Sequence, residues 1–202
     1  MNKLYYLILL FNTACFNANS QKDMIDKKEI AIFANGCFWC TEAIFQNLKG
    51  VESVKPGYIG GDVDNPTYEQ VCTGNTNHAE ALQISFNPDE VSYSQLLEVF
   101  FSTHNPTTLN RQGNDIGTQY RSEIFFTNNN QKDEALKMIQ WIESQNIFED
   151  PIVTEVSEAS RFWIAEDYHH NYYINNKEKS YCAMVIQPKV EKFKMYFSES
   201  LK

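Results

Sequence analysis

The spacing of apolar side chains changes several times along this chain, and each change marks an element. Residues 29–35 alternate apolar and polar positions as a half-buried strand does, and Phe38, Ile44, Phe45 and Leu48 then recur at helical spacing until Gly50 stops the helix. Residues 51–58 read as a second strand ending among Gly57, Gly60 and Gly61. A long polar loop containing Pro66 leads to a short helix around residues 68–71. Residues 79–86 alternate again, with Leu82, Ile84 and Phe86 on one face and Glu80 in phase with them, an acid on an apolar face. The turn Asn87-Pro88-Asp89 opens an amphipathic helix over 92–102 whose Leu96, Leu97, Val99, Phe100 and Phe101 form a core stripe.

A second polar loop, 104–118, precedes a strand over 120–127, a helix over 131–144, a strand over 152–156 and a helical segment over 167–175 crowded with Tyr168, Tyr172 and Tyr173. Strands and helices interleave without the regular beat of a doubly wound sheet. The expectation is α+β: a single-domain two-layer α/β sandwich with a mixed sheet, a ferredoxin-like core and long functional loops.

Composition adds three constraints. A chain of 202 residues, 43% apolar and 14% aromatic, supplies one core and requires no second domain. In residues 1–20 Lys3 is the only charge, residues 4–11 are an apolar run too short to span a bilayer, and Ala18-Asn19-Ser20 supplies small residues for cleavage before Gln21. This predicts an export signal over 1–20 and a mature chain over 21–202, in the periplasm or cell envelope. Ala14-Cys15 after the apolar run offers the alternative of a lipoprotein site, with a lipid anchor on Cys15. Removing Lys3 with that segment leaves 16 basic against 26 acidic residues, a net charge of −10, which argues against a nucleic-acid partner. Lys189, Lys192 and Lys194 near the carboxyl end read as a solvated face, and a monomer is the default.

Five cysteines, at 15, 37, 40, 72 and 182, are too few and too unevenly spaced for a disulfide scaffold. Cys37 stands out because Gly36-Cys37-Phe38-Trp39-Cys40 puts a thiol beside two large aromatics where a strand gives way to a helix. In the first helical turn, unpaired amides and the helix dipole lower a thiol pKa, and Cys37 is therefore expected to be an activated nucleophile. Glu80 among Leu82 and Ile84 is expected to be desolvated, which raises a carboxyl pKa and suits a general acid.

Several motifs, in order and spacing, carry a resemblance. Residues 32–40 (IFANGCFWC), Gly57-Tyr58-Ile59-Gly60-Gly61, Asn65-Pro66-Thr67-Tyr68-Glu69, His78-Ala79-Glu80-Ala81, Gln119-Tyr120-Arg121-Ser122, Ala165-Glu166-Asp167-Tyr168-His169 and Pro188-Lys189-Val190 closely resemble the A-type peptide methionine sulfoxide reductases across about residues 29–195. The resemblance implies reduction of methionine-S-sulfoxide in oxidised proteins, in peptides or as the free amino acid. It implies attack by Cys37 on the sulfoxide sulfur, a substrate methyl pocket from Phe38 and Trp39, protonation of the oxygen by Glu80, hydrogen bonds from Tyr68 and Tyr120, and a site-fixing role for Asp115. No bound cofactor or metal is implied. A second thiol clears the resulting sulfenic acid, and thioredoxin or another dithiol recycles the enzyme. Cys182, on what the resemblance makes a mobile carboxyl-terminal tail, is the first candidate for that thiol, and Cys40, in a C-x-x-C pair, is the alternative. Asn35 and Asn77 stand where the family often has glycine, a substitution asparagine tolerates through left-handed backbone angles.

Two other classes compete. Cys37, Cys40, Cys72 and Cys182 are candidate thiolates for a metal module, although only one C-x-x-C pair exists. A thioredoxin-like disulfide oxidoreductase would also place a C-x-x-C pair at a helix start.

Overall fold

The computed structural model describes residues 27–202, so the export segment read from residues 1–20, with Cys15, lies outside the described residues. β1 (Glu29–Asn35) runs into α1 (Phe38–Phe45), and β2 (Val51–Ile59) follows after Gly50. A short α2 (Tyr68–Cys72) leads to β3 (Ala79–Phe86) and α3 (Tyr93–Thr103). Thr67 with Gln70, and Ser92 with Gln95, close reciprocal capping boxes that start α2 and α3.

The second polar loop is partly ordered by a hairpin, β4 (Arg111–Gln112) with β5 (Asp115–Ile116), and by a 3-10 turn at Thr118–Tyr120 before β6 (Ser122–Phe126). Then come α4 (Asn129–Ser144), β7 (Glu155–Glu158) and β8 (Trp163–Ile164). A 3-10 turn at Asp167–His169, α5 (Tyr172–Asn175), a π-helical turn at Cys182–Ile186 and α6 (Gln187–Tyr196) complete the main path.

The main sheet has the order β7-β6-β1-β3-β2-β8, and all its neighbours are antiparallel except β6 with β7. Within it, β1-α1-β2-β3-α3-β6 with spatial order β6-β1-β3-β2 is the split βαβ arrangement of ferredoxin-like folds. The expected α+β class and mixed sheet are what the chain forms.

Strand parity divides the core. Phe33 of β1 and Leu82, Ile84 and Phe86 of β3 face the helices, and the Phe33 ring lies 5.7 Å from Phe45 and 5.1 Å from Phe100. Ile32, Ala34, Ala79, Ala81 and Phe125 point the other way into a smaller cluster against which Phe162 packs. β1 is therefore buried on both faces from Ala31 onward, not half-buried as its alternation suggested.

Four boundaries depart from expectation for identifiable reasons. Tyr120 lies in the 3-10 turn, and the strand begins at Ser122. The strand read at 152–156 forms at Glu155–Glu158, because the Val153 amide donates to the Pro106 carbonyl instead of to the sheet. The helical segment read at 167–175 breaks in two where Asn171 turns left-handed at φ 54°. The carboxyl-terminal segment forms a helix in which Ile186, Val190 and Phe193 are buried at helical spacing while Gln187, Glu191 and Lys194 face solvent.

Asn77 has the left-handed backbone its substitution for glycine called for (φ 57°). Asn35 does not: it ends β1 opposite Ser122, and its Oδ1 accepts the Thr41 hydroxyl. The left-handed position is Gly36, at φ 97°, where an added Cβ would lie 2.7 Å from the Gln112 side chain. Gly36→Ala is expected to cost about 1–3 kcal/mol of stability, measured by urea unfolding, through backbone strain and this clash.

Candidate active site

The turn at Gly36 ends β1 and delivers Cys37 to the N-cap of α1, one position before the first turn in which it was expected. The Cys37 carbonyl accepts the Cys40 amide at 3.0 Å, but its thiol makes no capping bond to the helix. The first helical amide, Phe38 N–H, donates to Glu80 Oε2 at 3.0 Å. That amide is therefore committed to a carboxyl and not to the sulfur. Cys37 is 8% exposed, and burial, a hydrogen bond with Cys40 and the Glu80 charge push its pKa well above the ordinary thiol value. The expected lowering of the resting Cys37 pKa is thus overturned: desolvation outweighs the helix terminus. Cys40, one turn along, is brought down to about 7, chiefly by the hydrogen bond from Cys37 and further by the Lys189 charge.

Glu80 occupies the helix-facing register of β3, across from Tyr58 of β2, at the end of the sheet where α1 begins. It is 1% exposed, and burial lifts its carboxyl pKa to about 8 against the opposing pull of the Phe38 amide. A proton therefore sits on Glu80 at neutral pH.

Tyr68, the first residue of α2, and Tyr120 both lie within electrostatic reach of Glu80, and burial with that charge raises both phenol pKa values. Both remain hydroxyl donors. Asp115 on β5 accepts the Tyr181 hydroxyl at 2.8 Å, and that tyrosine oxygen lies 3.9 Å from Cys40 Sγ. The predicted Cys37, Glu80, Tyr68, Tyr120 and Asp115 thus converge around one centre.

Phe38 and Trp39 enter an aromatic cluster. The Phe38 ring is fully buried, 5.9 Å from Tyr58 and 5.0 Å from His169. The half-buried Trp39 indole stacks on Tyr172 at 3.7 Å with 5° between the planes, and its Nε1–H donates to His169 Nδ1 at 3.0 Å. Burial pushes His169 down to about 4, so the ring is neutral at pH 7 with its proton on Nε2.

Sequence reasoning assigned no role to the supports of this cluster: Glu42, Glu166, His169, Tyr172 and Tyr181. Glu166 accepts the Tyr58 hydroxyl at 2.8 Å and the Tyr68 amide at 2.9 Å, tying α2 to β2. Glu42 accepts the backbone amides of Asn171 and Tyr172 at 2.8 and 3.2 Å. A signal for Glu42 was present, since it follows Phe38 by four residues and precedes Phe45 by three on the buried stripe of α1.

The candidate second thiols differ in placement. Cys182 is completely buried in the π-helical turn, and Cys40 sits one turn along α1 from Cys37, its amide on the Cys37 carbonyl. Cys72 is exposed at the end of α2. Among the described residues no three His, Cys, Asp or Glu side chains gather as metal ligands, so the four thiols do not form the competing thiolate site. A groove of about 850 Å³ between α3, α4 and α6 is lined by none of the predicted site residues.

Comparison with known proteins identifies the family. The peptide methionine sulfoxide reductase family model matches residues 29–201. The peptide methionine sulfoxide reductase MsrA of Deinococcus radiodurans is 53% identical over 175 residues, which is 87% of this chain and 85% of that protein. Among solved structures, reduced Mxr1 from Saccharomyces cerevisiae superposes with a TM-score of 0.71 at 32% identity over 77% of this chain and 90% of that one; Mxr1 has also been solved in complex with Trx2. Methionine sulfoxide reductase A of Corynebacterium diphtheriae superposes with a TM-score of 0.65 at 31% identity over 74% of this chain and 75% of that one. Matched by that family model over residues 29–201 and 53% identical to an MsrA across most of its length, this chain belongs to the A-type peptide methionine sulfoxide reductases, a family of oxidoreductases.

Proposed function

We propose that this chain reduces methionine-S-sulfoxide, free or in proteins, with Cys37 as nucleophile and Glu80 as general acid, and so repairs oxidised proteins. The observation that carries the proposal is Glu80: a buried carboxyl, protonated up to about pH 8, bonded to the amide next to the nucleophile. Sulfoxide oxygen leaves its sulfur more readily when protonated, and a neutral carboxyl supplies that proton in a dry site. Tyr68 and Tyr120 would donate to the same oxygen, Phe38 and Trp39 would enclose the S-methyl group, and Asp115 would act through Tyr181. With the oxygen on a polar side and the methyl on an aromatic side, the third substituent has one way out. Such a site distinguishes the two epimers.

In the first step, methionine sulfoxide and the Cys37 thiol give methionine and a Cys37 sulfenic acid: the substrate sulfur gains two electrons and the cysteine sulfur loses two. The proton on Glu80 serves the departing oxygen, and the Cys37 proton replaces it. In the second step a second thiol attacks the sulfenic sulfur, forming a disulfide and releasing water. We assign that thiol to Cys182, which requires its π-helical turn to open; Cys40 is the alternative. A thioredoxin-like dithiol is the proposed reductant, supported by the complex of Mxr1 with Trx2. The pattern of residues 1–20 supports an exported enzyme, with Cys15 as the alternative lipid site.

Turnover of the two separated sulfoxide epimers of an acetylated methionine amide tests the function. Only the S epimer should be reduced, and Cys37→Ser should abolish the reaction; reduction of the R epimer alone would overturn it. For the acid, kcat/KM for methionine formation should fall above about pH 8 as Glu80 loses its proton. Glu80→Gln should lower it by about 10²-fold or more and remove that limb. With thioredoxin as reductant, Cys182→Ser should release one methionine per enzyme and then stop. An undiminished steady rate in this variant would transfer the role to Cys40.

A further inference from the structure

We propose that Glu42 is a positioning residue for substrate binding: its carboxylate anchors the backbone of Asn171 and Tyr172, and through that segment fixes the Trp39 indole as a wall of the methyl pocket. The inference rests on the assignment of Phe38 and Trp39 to that pocket.

Glu42 is 1% exposed, in the middle of α1, three residues beyond Trp39 on the same helix. Its hydrogen-bond partners are two backbone amides, Asn171 N–H to Oε1 and Tyr172 N–H to Oε2. Placing an acid here is costly, and burial does raise its carboxyl pKa against the pull of those amides. An apolar side chain at this position would pack without that cost but would leave the two amides without their acceptor. The carboxylate therefore does something packing cannot.

What it holds is the junction between the 3-10 turn at Asp167–His169 and the start of α5. Asn171 is left-handed, and α5 is only one turn long, so the segment's position depends on external bonds. That segment grips Trp39 twice: the Tyr172 ring lies flat against the indole, and His169, two residues before Asn171, accepts the indole N–H. Beside the bond between His170 Nε2 and the Ala165 carbonyl, the segment that sets face and edge of the indole has its buried fixed point at Glu42. Moving that point would tilt the indole without touching Cys37 or Glu80.

The test uses Glu42→Gln in a background where Trp141→Phe and Trp163→Phe leave Trp39 as the only indole. Glutamine keeps one acceptor oxygen and presents a donor to the other amide, so one of the two bonds is lost. The expected result is a changed Trp39 emission maximum together with a rise of about 10-fold in KM for the S-sulfoxide, while kcat changes less than about 3-fold. Oxidation of Cys37 by hydrogen peroxide, which needs no methyl pocket, should proceed at the parental rate. Tyr172→Leu, which removes the stacked ring and leaves Glu42 in place, should give the same KM defect and serves if Glu42→Gln does not fold.

An unchanged Trp39 emission, an unchanged KM despite shifted emission, or a parallel loss of kcat and peroxide reactivity would each overturn the proposal. A parent enzyme that binds and reduces no S-sulfoxide would overturn the functional assignment and this inference together, and would be seen before any variant is made.

Discussion

The hydrogen bond from the Phe38 amide to Glu80 is the contact on which the rest of the site depends. It joins the first residue of α1 to a carboxyl on β3, two elements that are separated by β2 and α2 in the chain but packed together in the core. Because Glu80 is buried, this bond is worth more than the same pair in water, and removing either partner would leave a polar group unsatisfied in an apolar setting. Burial, and not this bond, sets the protonation of the site: it raises the Glu80 carboxyl against the pull of the Phe38 amide, and it raises Cys37, Tyr68 and Tyr120, so these four groups hold their protons at neutral pH.

Such a site is quiet until something polar enters it. Cys37 is not poised as an exposed thiolate, unlike thiols at open helix ends, because burial raises its pKa. A sulfoxide brings a strong acceptor oxygen and a partly positive sulfur into this setting. In the proposed mechanism Glu80, Tyr68 and Tyr120 would supply the donors as charge shifts toward the oxygen.

Much of this was legible from residues. The parity of Leu82, Ile84 and Phe86 placed Glu80 on the inner face, and the change of period after Gly36 placed Cys37 at a helix start, because both depend on local spacing alone. The direction of the Cys37 pKa was misread, since it depends first on burial by residues remote in the chain and then on the Glu80 charge, 43 positions along. The support of Trp39 was invisible for the same reason: Glu42 and Tyr172 are 130 residues apart. The helix after Cys182 is a different failure. Ile186, Val190 and Phe193 have helical spacing, but the intervening lysines drew the eye to charge.

The burial of Cys182 has a kinetic side. A thiol with no exposed surface meets neither peroxide nor a foreign disulfide, so the electron pair it holds is insulated from stray oxidation. Its reactivity is then governed by how often the π-helical turn opens, as exchange of a protected amide is governed by local unfolding and not by the intrinsic chemistry of the group.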